Sequence, residues 1–209
     1  MSPSLATSGD ASHALSPFAR LCQASGLLSR VLRHINEQPS DMQFWYKEGI
    51  SLHYLLNSFA TGSTLDSSQD DNNNILIGDK SLQPAVGVVY SAQMLLYDMH
   101  SCADFDHLSG VGIPEQLEMQ KIALEDIKVV CTAVSSFARG IRTGGVGDAS
   151  TSPLAINCLY EAANYYFWYY REVNKPELLH EVTEITLTLQ AIAGTWAVAS
   201  MLTPSYSQF

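Results

Sequence analysis

The chain is short of positive charge. Its 209 residues carry 11 Lys and Arg against 21 Asp and Glu, a formal net charge of −10 at pH 7. A surface this acidic repels phosphate backbones, so no nucleic-acid partner is expected. No run of five basic residues occurs, which removes a nuclear-import patch. Continuous apolar stretches of about 18 residues are missing too, so no membrane span is expected. The opening MSPSLATSGDASHAL lacks the basic start and apolar stretch of a signal peptide, and the chain reads as intracellular, nuclear or cytoplasmic. Cys22, Cys102, Cys131 and Cys158 never fall at zinc-ligand spacing. Four buried reduced thiols and no bound metal are the expectation. TGGVG lacks the lysine of a phosphate loop, and no Gly-x-Ser-x-Gly elbow occurs. No cofactor is expected. Strand patterns are absent apart from NILIG, which is too short to found a sheet.

What the chain does have is helical patterning. With 46% hydrophobic and 15% charged residues it can bury one sizeable core. Residues 1–15 read as a disordered leader, 16–203 as a helical domain and 204–209 as a tail. The expected fold is all-α, one domain of about six or seven helices. Ser16-Pro17 is an N-cap followed by proline at the first helical position. Behind it Phe18, Leu21, Leu28, Leu32 and Ile35 form an apolar stripe that ends before Pro39. A second helix fits Trp45 to about Thr61, and a polar loop rich in Ser, Asp and Asn follows it. A third helix starts near Pro84. A fourth runs from Pro114 to about Ile141, with Leu117, Leu124, Ile127, Cys131, Val134, Ala138 and Ile141 at three- and four-residue spacing. Arg139 and Arg142 at its end suit the helix dipole. Ser152-Pro153 repeats the first cap and opens a fifth helix to about Val173. Pro176 opens a sixth, on which Leu178, Val182, Ile185, Leu189, Ile192, Trp196 and Ala199 alternate steps of four and three. That seam suits a neighbouring helix, and three heptads favour one from the same chain over a partner.

The fifth helix poses the functional question. In NYYFWYYREVN six aromatic rings stand in a row from Tyr165 to Tyr170. Each helical residue turns about 100° from the last, so six rings cannot face one core. Leu154, Cys158, Ala162, Tyr165 and Tyr169 share one stripe, with Ala155, Leu159, Tyr166 and Val173 beside it. Asn157, Glu161, Asn164, Arg171 and Glu172 mark the polar side, and Phe167 and Trp168 fall toward it. Rings of that size call for a cover: another helix of the chain, a partner subunit, or an apolar ligand.

The segment SPLAINCLYEAANYYFWYYREVNKPELLHEVTEITLTLQAIAGTWAVAS resembles the C-terminal part of the fungal-specific transcription factor regulatory domain, which lies downstream of a Zn2Cys6 cluster. The resemblance rests on Pro153-Leu154, Cys158-Leu159-Tyr160, Ala162-Ala163, Arg171-Glu172, and Trp196 with Ala199. SPFARLCQASGLLSRVLRHI, LHYLLNSF and LLYDMHSC resemble other parts of it, so most of residues 16–200 is covered. The family's DNA-binding part needs six cysteines in a basic segment, and this chain holds no such segment. The resemblance therefore implies a regulatory or ligand-sensing module without its own DNA contact. Met1 and its leader read as the start of a free-standing protein. Two alternatives follow: a cofactor-free cyclase or pericyclase of fungal secondary metabolism, and a dimer partner that sequesters family members. Expected partners are an apolar small molecule and a homodimer or family-related protein.

Titratable candidates are few. DMHSCADFDH, residues 98–107, places His100 four residues from Asp104, and Asp98 four from Cys102, but no second histidine stands at ligand spacing. A lone histidine in an apolar helix, such as His53, is most often hydrogen-bonded structure. His53 is also the best acid–base candidate, with His100 second. Tyr54, Tyr97, Tyr165, Phe167, Trp168, Tyr169 and Trp196 are the expected ligand-binding residues.

Overall fold

The computed structural model describes residues 15–37, 39–65, 80–101, 113–143, 152–196 and 199. Among the described residues the elements of the fold are α1 (Pro17–Asn36), α2 (Met42–Leu65), α3 (Gln83–Ser101), α4 (Pro114–Thr143), α5 (Ile156–Val173) and α6 (Pro176–Ala193). Short 3-10 turns, Lys80–Leu82 and Pro153–Ala155, lead into α3 and α5. No strand occurs among the described residues, and the chain is all-α as its patterning predicts. NILIG and the segments read as leader and tail lie outside the described residues, save Leu15. No described helix is long and apolar enough to cross a membrane.

Local chemistry explains the helix ends. The Ser16 hydroxyl accepts from the Ala19 N–H at 3.2 Å and caps α1. Ser152 repeats the device, accepting from the Leu154 N–H at 3.2 Å, but it starts a 3-10 turn before α5 begins. Asn174 closes α5 in the left-handed conformation, φ 50°, donating its N–H to the Tyr170 carbonyl at 2.7 Å. Asparagine tolerates that conformation better than most side chains.

α3 is the hub. It packs against α1, α2, α4 and α5, and against the 3-10 turn before α5. Its core residues lie all around the axis, among them Ala85, Val88, Val89, Ala92, Met94, Leu96 and Tyr97. A helix apolar on every side is a buried helix. Gly87 permits the closest approach: a Cβ there would stand 2.9 Å from the Ala155 Cα and 3.1 Å from the Leu154 carbonyl oxygen. α6 covers α4 and α5 with Val182, Ile185, Leu189 and Ile192, so the heptad seam packs within the chain. Arg139 and Arg142 pair with Glu181 and Glu184, tying α4 to α6 as well as suiting the dipole.

Several sequence-based assignments shift. α2 is longer than expected at both ends, and α6 stops before Trp196. α1 buries Ala24, Val31 and His34, while Phe18 is 75% exposed and Leu32 is exposed too. Leu117 and Leu124 on α4, and Leu154 and Val173 flanking the aromatic helix, are also exposed. Spacing states which residues share a face; it does not state which face a neighbour covers, and small Ala24 lets helices approach where a larger residue would hold them apart. The four-buried-thiols expectation fails at Cys22, which is exposed; Cys131 and Cys158 are buried, and Cys102 lies outside the described residues.

Candidate functional site

α3 and α4 form a wall with a cleft on each side. On the α5 side the cleft is about 440 Å³. α5 supplies Glu161, Asn164, Tyr165 and Trp168, spaced three, four and seven residues on and therefore on one face. α3 supplies Met94, Leu95, Asp98 and Ser101, and α4 supplies Ile127. Trp168 stays 56% exposed, with its ring centroid 6.1 Å from that of Tyr165. Tyr169 stacks on Tyr165 at 6.2 Å and carries Lys128 over its face at 5.1 Å. The aromatic row thus splits. Tyr166 enters the core, Phe167 packs half-buried against it, and Trp168 faces the cleft.

Two carboxylates share this apolar cleft. Burial pushes the Glu161 carboxyl up, and the neighbouring Asp98 charge adds to the rise. The Tyr165 phenol is pushed up to about 12, mainly by burial, with Cys131, Tyr169 and Tyr166 adding. A wall of Trp, Tyr, Met, Leu and Ile with carboxyl groups along it suits a mostly apolar molecule with one polar end.

On the α2 side lies a second cleft of about 330 Å³. Asn57, Ala60 and Thr61 come from α2, Tyr90 and Gln93 from α3, and Asp126, Val129, Val130 and Ala133 from α4. A polar chain runs behind it. Gln93 Nε2 donates to Asn57 Oδ1 at 2.6 Å, which turns Asn57 Nδ2 toward His53 Nε2 at 3.4 Å. His53 Nε2 is then the acceptor, and Nδ1 carries the proton, 3.0 Å from the Tyr97 hydroxyl and 3.3 Å from Asp126 Oδ2. Burial lowers the His53 pKa, and the Asp126 charge opposes that fall. The Tyr97 phenol is pushed well up by burial and by Asp126, against a smaller effect of Gln93.

The predicted site residues therefore separate. Tyr165 and Trp168 line one cleft; His53 and Tyr97 stand behind the other. Tyr54 meets His53 edge-on at 4.9 Å but points largely to solvent. Phe167, Tyr169 and Trp196 line neither cleft. His100 is buried elsewhere. Its Nε2 lies 3.1 Å from that of His34, whose Nδ1 holds Glu48 Oε2 at 3.0 Å. Trp45 stacks on His34 at 4.8 Å and gives its indole N–H to the His34 carbonyl at 2.9 Å. Burial, and then His34, lower His100 to about 4. Among the described residues no three His, Cys, Asp or Glu side chains are grouped to hold a metal. Asp104 and Cys102, the partners suggested for that stretch, lie outside the described residues.

Asn57, Gln93 and Asp126 were not singled out from sequence. The His53-to-Asn57 spacing of four was the available signal; Asp126 belongs to a helix far away in the chain. The chain matches no family model, no curated protein and no solved structure.

Proposed function

We propose that this protein is a helical ligand-sensing module of the kind found as the regulatory domain of fungal transcription factors, acting without DNA contact of its own. Its signal is an apolar small molecule held in the α3–α4–α5 cleft. The observation that carries this is the half-exposed Trp168, set beside Tyr165 at a cleft of about 440 Å³ instead of under another helix. A ring of that size gains roughly 2–3 kcal/mol when covered, and a ligand can supply the cover. Nile red, a neutral apolar dye, tests it. It should bind saturably, brighten, and raise the melting temperature, and Trp168→Ala should lose both effects while staying folded. Unchanged dye binding in that variant refutes the site. Loss of a dimer instead points to a subunit seam.

Glu161 favours a second reading, the cofactor-free cyclase. Burial and the Asp98 charge raise the Glu161 carboxyl above its ordinary range, a change that suits a proton donor to an apolar polyene, and the walls can fold the chain that reacts. Under it, Glu161→Gln abolishes turnover of a bound polyene and leaves Nile red binding intact. Equal turnover in the variant removes this reading.

A further inference from the structure

The cleft between α2, α3 and α4 is left unused by the proposal above, and its polar atoms are unevenly matched. Gln93 lines it while only 2% exposed, and the Gln93 Oε1 has no hydrogen-bond partner. A buried acceptor without a donor is costly, and native proteins rarely leave one so. The amide cannot simply turn over to relieve it. Its Nε2 is held by Asn57 Oδ1 at 2.6 Å, and a flipped amide would bring two oxygens together there. Asp126, its side chain 30% exposed, adds a carboxylate on the same cleft. His53 Nδ1 stands 3.3 Å from its Oδ2, behind the cleft.

The open capacity is thus for accepting hydrogen bonds, and it carries negative charge. The cleft's complement is a group with several N–H donors and a positive charge. Of the other lining residues, Ala60, Val129, Val130, Ala133 and the Tyr90 ring are apolar, and Thr61 gives its hydroxyl to the Asn57 carbonyl at 2.8 Å. About 330 Å³ is at the small end of ligand sites, which limits the body attached to that group. The net charge of −10 draws such a cation toward the chain.

We propose that the α2–α3–α4 cleft is a second binding site, for a small organic cation with several N–H donors, a guanidinium or primary ammonium on a short apolar body. The donors meet Gln93 Oε1 and the Asp126 carboxylate, and the body lies on Val129, Val130 and Ala133. His53 and Tyr97 are positioning residues behind the floor: they hold Asn57 and Asp126 in place. The site stands on α3 faces different from those of the Trp168 cleft, so it does not depend on the reading given for that cleft.

The test is a nuclear magnetic resonance titration of the full chain with n-butylguanidinium, and in parallel with its neutral isostere n-butylurea. The expected result is saturable shifts centred on the side-chain amides of Asn57 and Gln93, with butylurea at least about tenfold weaker. Asp126→Asn should weaken butylguanidinium by about tenfold or more. Ala133→Leu, which fills the cleft from its apolar wall and leaves the polar chain intact, should abolish binding. Equal affinity for butylurea overturns the proposal. So do unchanged affinity in Ala133→Leu, or shifts centred on Tyr165 and Trp168.

Discussion

Acid should destabilise this protein through His100. The folded pKa of His100 is lowered from 6.5 to about 4, first by burial and then by the neighbouring His34. The unfolded chain therefore takes up a proton as pH falls below about 6.5, while the folded chain resists until about 4. The stabilisation is fully present above the unfolded pKa and is lost between those two values. Proton linkage across that gap amounts to about 2.5 kcal/mol by pH 4.5, and to about 3.4 kcal/mol once both states are charged. Domains of this kind hold roughly 5–15 kcal/mol in total, so the loss is large. Urea denaturation followed by the helical circular dichroism signal, at pH 7 and pH 4.5, measures it. Glu115 and Glu184, whose pKa values are lowered by Gln43 and Arg142 respectively, also lose stabilisation as pH falls. Their contribution cancels against a His100→Asn variant, which keeps both carboxylates. That variant should be less stable at pH 7, and its stability should fall by about 2.5 kcal/mol less than the native chain's between the two pH values. Equal falls in the two proteins would refute the assignment.

Gly49→Ala should disturb the same histidines, because a Cβ there meets His100 Nε2 at 3.1 Å and His34 Nε2 at 3.3 Å; a loss of about 1–3 kcal/mol in urea denaturation is expected, and no loss means the rings yield freely. Gly87→Ala meets backbone instead, at 2.9 Å, and should cost at least as much, with the melting temperature as the check. Trp168→Ala should cost about 1–2 kcal/mol, well below the cost of removing a fully buried ring, since the side chain is 56% exposed, and should still abolish Nile red binding. Tyr97→Phe leaves the ring's packing and removes the hydroxyl beside His53; about 1 kcal/mol is the expected loss, and a shift of the His53 proton resonances should accompany it.

Secondary structure was legible from the chain alone because its causes are local. Ser16-Pro17 announces α1, Pro176 announces α6, and three- and four-residue spacing marks α4 over many turns. The aromatic row also declared in advance that its rings must part company, since a helix turns too fast for one face to hold them all. Glu161, Asn164, Tyr165 and Trp168 were already at the spacing of one face; nothing local said that α3 and α4 would leave that face open. Burial depends on partners. Phe18 and Leu124 carry the right periodicity and are exposed, because the covering helices lie elsewhere. His53 was visible as a lone histidine, but Asp126 and Tyr97 reach it across two helix contacts, at 3.3 and 3.0 Å. His34 and His100 stand 66 positions apart in the chain and 3.1 Å apart in space. Such pairings are set by how helices cross, and crossing is a property of whole packed surfaces, with no trace in the residues adjacent along the chain.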